Sequence, residues 1–446
     1  MVLSWRALLG GSGGSTSSAG AALLVLRRSR CLGAAPRASS SASPPRPQQR
    51  QPRRAFTSLP VIDVSPLVNP QLGAAVKSRC AQELHAACRD VGFFVAANHG
   101  VPPAIYEGVL REARHWFALP EATKQSIALR GAATAYRGWQ PLGANVTRLP
   151  GGGFVRDWHE AIDLFREDDP ADIKSRGLPP SPLHGANPWP SQLPAFEAAL
   201  RSYVGSCLTL GSALLRGIAL GLGLREDDLG GGFAGPEASY WLLRVIHYPP
   251  LEQAGAEPGG GGGLREGAAA AAAGAHVGRD VQLSCGEHTD YGLLTLVNQE
   301  THVGGLQVQN AAGSWVDAAP IPGTFVCNIG ETSAARMGWG GAGGDMFATL
   351  TNGLYAPTLH RVVHAGPPGS SRVSAPFFLE PAFDAVVAPL PQLVTAAGSA
   401  AGAPGAGAGG GADGGGGTAG GGDSARFPAV RYGSHLESKV LSNFEL

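Results

Sequence analysis

"GEHTDYGLLTLVNQ", residues 286–299, sets an imidazole, His288, and a carboxylate, Asp290, two positions apart and just ahead of an apolar run. Thr295, Leu296 and Val297 favour a strand, and residues two apart on a strand share a face. Read as one continuous strand, the stretch turns His288 and Asp290 to the same side and Thr289 away. One nitrogen and one oxygen ligand aimed at a common point make two thirds of a 2-His-1-carboxylate facial triad, the arrangement that leaves three positions of an octahedral iron(II) open. Alone the pair is not specific. Twelve His in 446 residues that include 34 acidic ones give about one such spacing by chance, and a surface His and Asp near a strand end would look the same.

A triad needs a second imidazole, and "APTLHRVVHAG", residues 356–366, offers His360 and His364 in another β-like run. Their even spacing would put both on one strand face, so pattern does not choose between them. Further on, "SSRVSAPFFLE", residues 370–380, holds Arg372 and Ser374 two apart. A planar guanidinium beside a hydroxyl suits bidentate capture of a carboxylate. The ordered set His-x-Asp, His, Arg-x-Ser on successive strand-like runs is far more specific than any one member.

Composition restricts what surrounds this set. The chain carries 66 Gly and 35 Pro, and glycine tracts cannot build a core. What remains suffices for one large domain with a buried interior. Net charge is zero and no basic stripe with interleaved aromatics occurs, which argues against nucleic acid as a partner. Six cysteines, Cys31, Cys80, Cys88, Cys207, Cys285 and Cys327, form no CxxC pattern, against a zinc module or disulfide framework. Cys285, three positions before His288, is either a thiol beside a metal or a small buried apolar residue.

Residues 1–62 include nine Arg and no acid; Asp63 is the first. Such a segment reads as an organelle transit peptide, residues 1–58, with "RRAFTS" resembling a mitochondrial processing site, and a mitochondrial destination is favoured over a chloroplast one. Its apolar run Ala21 to Leu26 is too short to span a bilayer. Residues 59–230 read as helices and short strands, with helices at 74–91, 105–119 and about 195–222 and a strand within 92–100. The last helix carries Glu197, Arg201 and Arg216, so it is expected to pack inside the protein rather than cross a membrane. Residues 231–392 read as a β core with low-complexity insertions at 254–274 and 331–344; a Gly/Ala-rich linker, 393–425, and a C-terminal helical segment, 426–446, follow.

With these motifs in place, the chain resembles the iron(II)- and 2-oxoglutarate-dependent dioxygenases of the isopenicillin N synthase-like family. "LPVIDVSPL" and "CRDVGFFVAANHGVP" are similar to the family's N-terminal region, and "LLRVIHYPP" to the strand whose Tyr, here Tyr248, helps hold the co-substrate carboxylate. The resemblance makes His288, Asp290 and His360 the catalytic metal ligands, settling the choice against His364, and Tyr248, Arg372 and Ser374 the co-substrate site. "YRGWQPLGANVT" and "DWHEAIDLF" are similar to a little-characterised plant, algal and microbial branch. The implied fold is α+β with a mainly β core, a double-stranded β-helix (jelly roll) buttressed by helices. The implied cofactors are Fe(II), 2-oxoglutarate as co-substrate and O2. The implied activity is hydroxylation or desaturation of a small organic substrate with release of succinate and CO2, and the implied oligomeric state is a monomer.

Two departures from the family pattern accompany the resemblance. The interval from His288 to His360 is long for the family, and leaving out residues 331–344 brings it close. The text then reads "TFVCNIGDMFATLTNGLY", as the family does. The segment is either a gene-model artefact or a loop peculiar to this protein. Ile246 and His247 stand before Tyr248 where many plant members carry Asn and Tyr. The alternatives are a 2-oxoglutarate-independent oxidase of the same family and a non-catalytic iron- and 2-oxoglutarate-binding sensor. Trp139, Trp158, His159 and Glu160 lie in segments that could border a substrate pocket.

Overall fold

The computed structural model describes residues 55–148, 154–251, 283–290, 292–330, 346–394 and 425–444. The insertions at 254–274 and 331–344, almost all of the linker and the leader up to residue 54 lie outside the described residues.

Two sheets carry the architecture. The larger has the order β1 (Val61–Asp63), β2 (Phe93–Ala97), β12 (Phe325–Ile329), β9 (Leu294–Gln299), β14 (Arg372–Leu379), β7 (Leu242–Tyr248), β6 (Glu160–Phe165) and β3 (Gly138–Gln140). The smaller has the order β11 (Trp315–Asp317), β10 (Leu306–Gln309), β13 (His360–Val363) and β8 (Leu283–His288). Every strand pairing in these two sheets is antiparallel except β1 with β2. Strands β1, β2, β3 and β6 come from residues 59–230, so the helical first half also builds the sheet that carries the site.

The period of two along each strand divides the interior into two cores. Leu294 and Leu296 of β9, Phe325 and Cys327 of β12, Leu243 and Val245 of β7 and Val373, Ala375 and Phe377 of β14 pack on the helices. The intervening residues Val326, Ile246 and Tyr248 point the other way, where they meet Leu306, Val308 and Val362 of the smaller sheet. This second, smaller cluster is the lumen of a jelly roll. On β14 the alternation therefore forces Arg372 and Ser374 toward the lumen, because their neighbours Val373 and Ala375 are fully buried on the helix side.

Helices Ala74–Asp90, Pro103–Phe117 and Pro194–Gly221 match the spacing read from sequence, each to within about two residues. Pro at the first turn suits the second and third, because its missing N–H would be unpaired there anyway. The Pro194–Gly221 helix is long and apolar enough to cross a membrane, but 61% of its most apolar window is buried inside the protein. It covers the outer face of the larger sheet: Tyr203 donates to the Ala375 carbonyl at 2.7 Å, and Gly217 admits Leu67 and Leu84 against its backbone. Burial of each such leucine stabilises the fold by roughly 1.5–3 kcal/mol. The C-terminal segment forms the helix Tyr432–Phe444.

Candidate functional site

His288 is the last residue of β8, and Asp290 lies beyond the strand, in the turn before β9. This corrects the expectation of one continuous strand with both ligands on one face. The apolar run belongs to the next strand, in the other sheet, and Asp290 turns back because its carboxylate is held there. Its Oδ2 accepts hydrogen bonds from Thr295 Oγ1 at 2.6 Å and from Asn328 Nδ2 at 2.7 Å. Thr295 and Asn328 are cross-strand partners on β9 and β12, both buried and both lumen-facing. With Oδ2 occupied, Oδ1 is left toward the histidines.

His360 pairs with His288 across β13 and β8. Asp290 Oδ1 lies 3.8 Å from His288 Nε2 and 3.5 Å from His360 Nε2, and one ligand atom from each of the three falls within 4.8 Å of the others. The opposite ring nitrogens are fixed by backbone carbonyls: His288 Nδ1 is 2.7 Å from the Gly286 oxygen and His360 Nδ1 3.2 Å from the Thr358 oxygen. A carbonyl only accepts, so each Nδ1 carries a proton, and Nε2 is the nitrogen turned toward Asp290 whose lone pair a metal would take. Burial pushes the Asp290 carboxyl up, but the His360 and His288 imidazoles, which carry positive charge when a proton stands on Nε2 in place of a metal, and the Asn328 amide outweigh it and hold it well below the usual carboxylate range. Two imidazole nitrogens and one carboxylate oxygen, preset in direction, fit iron(II).

His364 does not join them. Register shifts between His360 and Val362 and between Val362 and Val363 break the period of two, so the even spacing of His360 and His364 no longer means a shared face. His364 instead lines a small cavity with Tyr248, Ser284, Val362, Ser370 and Arg372.

Arg372 is 3% exposed and sits opposite Tyr248 in the β14–β7 ladder. Its guanidinium lies over the Tyr248 ring, 4.9 Å from the centroid, and reaches Ser374 Oγ at 3.5 Å and Gln299 Oε1 at 2.7 Å. None of these groups is an anion. Arg372 Nε and Gln299 Nε2 are buried donors with no hydrogen-bond partner among the described residues. Orphan donors around an uncompensated guanidinium fit a carboxylate, whose oxygens satisfy them. Burial pushes the Tyr248 hydroxyl up, which keeps it a neutral donor.

The four residues expected to border a pocket, Trp139 on β3 and the other three at the start of β6 and just before it, separate onto the two faces of the sheet. Trp139 Nε1 and Lys124 Nζ both donate to Glu160 Oε2, at 2.9 and 2.8 Å, and His247 Nδ1 lies 2.9 Å from Oε1. Glu160 and Trp139 thus belong to a closed polar cluster on the helix side, and His247 stacks there on Phe117. Trp158 donates to the Pro249 carbonyl at 3.2 Å. His159 alone of the four meets the site: its Nδ1 is 2.8 Å from the Ser284 carbonyl and its ring stands edge-on to Tyr248. Burial and the nearby Arg244 charge push its imidazole down to about 4, so it is neutral near pH 7.

Asp157, Thr147 and Gly286, which carry no motif of their own in the sequence, join the wall beside the triad. Asp157 Oδ1 accepts from Thr147 Oγ1 at 2.8 Å and from the Gly286 N–H at 3.1 Å, which ties the hairpin of β4 (Val146–Arg148) and β5 (Phe154–Arg156) to β8. A Cβ at Gly286 would clash with the Thr147 side chain, so glycine there permits the approach. Asp157 opens the stretch "DWHEAIDLF", but nothing in its spacing marks the carboxylate as a tie between strands. Cys285 is partly buried, with Sγ 3.8 Å from His288 Nδ1; among the described residues neither it nor Cys80, Cys88, Cys207 or Cys327 is in a disulfide.

Residues 59–192 match the N-terminal region of the non-haem dioxygenases of morphine synthesis, and residues 269–381 match the 2OG-Fe(II) oxygenase superfamily. The chain is 34% identical over 394 residues to homoarginine-6-hydroxylase 2-ODD-C23 of Glycine max, covering 87% of this chain and 98% of that protein. It is 36% identical over 396 residues to homoarginine-6-hydroxylase 2-ODD-C23.1 of Arabidopsis thaliana, covering 88% and 99%. Among solved structures, a 2OG-Fe(II) oxygenase family protein of Caulobacter crescentus superposes with a TM-score of 0.60 at 25% identity, covering 87% of this chain and 99% of that one. The dioxygenase for auxin oxidation of rice gives a TM-score of 0.54 at 21% identity, covering 86% and 96%, a likeness of fold.

Proposed function

Because the chain belongs to the iron(II)- and 2-oxoglutarate-dependent oxygenases, it is a dioxygenase that oxidises a small organic molecule, and we propose that this molecule is a basic α-amino acid of the homoarginine type. One observation carries the substrate reading: identity of 34 and 36% with two homoarginine-6-hydroxylases extends over 87 and 88% of the chain, and so includes the segments that wall the lumen.

The division of labour follows from the two sheets. His288 and His360 of the smaller sheet, with Asp290 beyond β8, would hold iron(II) through Nε2, Nε2 and Oδ1. Arg372, with Ser374 and the Tyr248 hydroxyl on the larger sheet, would bind a carboxylate of 2-oxoglutarate. Iron(II), 2-oxoglutarate and O2, when bound, would supply the oxidising power, with succinate and CO2 as co-products. Thr295 and Asn328 keep the Asp290 carboxylate ionised and aimed. Phe93, Val95, Ile246, Val326 and Val362 line the lumen with apolar surface, which limits water around the reacting groups. His159, neutral and buried, is a fixed wall between the clamp and β8.

Other features support further proposals. The acid-free, arginine-rich N-terminal stretch supports import into an organelle, mitochondrial in preference to plastid. Zero net charge supports action on small molecules, away from nucleic acid and charged membrane surfaces, and the family resemblance supports a monomer.

The test is turnover of 2-oxoglutarate by protein lacking residues 1–58, with L-homoarginine as the probe. Homoarginine-dependent succinate and a product heavier by one oxygen are expected. Succinate formation that ignores homoarginine, arginine and lysine alike would remove the substrate reading while leaving the enzyme class intact. Homoarginine oxidation without 2-oxoglutarate would point to the oxidase alternative.

A further inference from the structure

Polar groups that neither the triad nor the co-substrate clamp uses gather at the start of β7. The alternation that turns Leu243 and Val245 onto the helices places Arg244 on the lumen side with Ile246 and Tyr248. Asp163 of β6 is its register partner across the ladder. Arg244 Nε lies 3.2 Å from Asp163 Oδ1, yet neither atom has a hydrogen bond among the described residues. Arg244 Nη2 donates to Asn145 Oδ1 at 3.0 Å, and Gln140 Nε2 donates to Asp163 Oδ2 at 2.5 Å. The guanidinium is thereby fixed on two sides. The facing atoms, Arg244 Nε and Asp163 Oδ1, are buried, while the Arg244 side chain as a whole remains 27% exposed and Asp163 14%, so what a ligand can reach is the rest of the guanidinium and the outer edge of the carboxylate.

This pair borders the chemistry. Asn145 Nδ2 is 3.3 Å from His159 Nε2, and His159 in turn bonds to β8 and faces Tyr248. A molecule lying along β7 from Arg244 would pass Ile246 and come to Tyr248, about 13 Å away at the rise of a strand.

Charge separates the roles of the two lumen arginines. Arg372 touches neutral groups and suits a lone anion. Arg244 already has a counterion, so a lone anion there would leave net charge uncompensated in a partly desolvated wall. A zwitterion would not: its carboxylate meets the guanidinium and its ammonium meets the aspartate, and the set of four charges stays neutral. We propose that Arg244, positioned by Asn145 and Asp163, binds the α-carboxylate of an amino-acid prime substrate, while Asp163 receives its α-ammonium group. Held by that end, the substrate extends its side chain toward His288 and His360. This assignment rests on the amino-acid reading of the prime substrate.

The experiment is a calorimetric titration of anaerobic protein carrying iron(II) and 2-oxoglutarate, with L-homoarginine and its decarboxylated amine, homoagmatine, as probes. Wild-type protein is expected to prefer homoarginine. Arg244→Gln should weaken homoarginine by roughly 10- to 100-fold without weakening homoagmatine, since a charge-assisted carboxylate contact is lost. The iron and 2-oxoglutarate charge-transfer band serves as the folding control. Should a lone Asp163 prevent folding of that variant, Asp163→Asn with Arg244→Gln keeps the wall neutral and should bind the two probes alike. Either folded variant retaining wild-type affinity for homoarginine and its preference over homoagmatine would overturn this assignment alone. Failure of the wild-type protein to bind homoarginine would overturn it together with the substrate reading.

Discussion

Asn328→Ala removes one of the two hydrogen bonds that aim the Asp290 carboxylate, and the local geometry sets the size of the effect. The bond is 2.7 Å long, its acceptor is ionised, and Asn328 is 1% exposed, so water has no direct route to replace it. A hydrogen bond to a charged group contributes roughly 1.5–3 kcal/mol. Removing a residue that orients a metal ligand typically lowers metal affinity by about 10- to 100-fold, or about 1.4–2.8 kcal/mol, so the two estimates agree. Thr295→Val removes the other bond, 2.6 Å, with little change of shape, and should act in the same range. Because both bonds end on one oxygen, the double variant should depart from additivity: once the carboxylate is free to turn, the second deletion costs less. The assay is anaerobic titration with iron(II), with Mn(II) as an oxygen-stable check, beside a thermal midpoint for each variant. Metal affinity within twofold of wild type in both single variants, at unchanged midpoint, would refute the argument that Oδ2 must be held for Oδ1 to ligate.

Three further outcomes are expected. Arg372→Gln should raise the 2-oxoglutarate concentration needed for half-maximal turnover by roughly 10- to 100-fold with iron affinity little changed, because it removes the guanidinium and leaves the triad; steady-state kinetics against a metal titration decides this. Gly286→Ala should destabilise the protein by about 1–3 kcal/mol in denaturant unfolding, since its Cβ would press on Thr147, and Thr147→Gly should restore much of the loss. Burial pushes the Glu380 carboxyl up to about 8, so the folded protein keeps a proton that the unfolded chain releases above about 4.5. That contribution is complete below the unfolded value and lost as pH rises through 8, with a slope of up to about 1.4 kcal/mol per pH unit. Glu380→Gln should flatten this part of the stability curve, and a variant as pH-dependent as wild type would show that Glu380 is ionised in the fold.

Local patterning alone specified the ligand-bearing runs, the three long helices and the lumen face of β14. Those follow from the period of two, the period of 3.6 and the chemistry of each side chain, none of which needs to know what lies opposite. Arg372 and Ser374 share a face because Val373 between them is apolar and belongs on the helices. Pairing between distant segments decided the rest. Asp290 leaves the strand that carries His288 because Thr295 and Asn328, on two strands of the other sheet, hold its carboxylate in the turn. His364 is separated from His360 by register shifts that arise from pairing with β8, which no periodicity within one strand reveals. Glu160 is withdrawn from the lumen by Lys124, Trp139 and His247, while its neighbour His159 is turned into it; adjacent letters acquire opposite roles from the side of the sheet on which each falls. Arg244 and Asp163 stand far apart in the chain and look unrelated until β6 and β7 pair. Charge pairing, ligand aim and lumen membership are properties of strands brought together from distant parts of the chain, and they exist only once the two sheets have closed on each other.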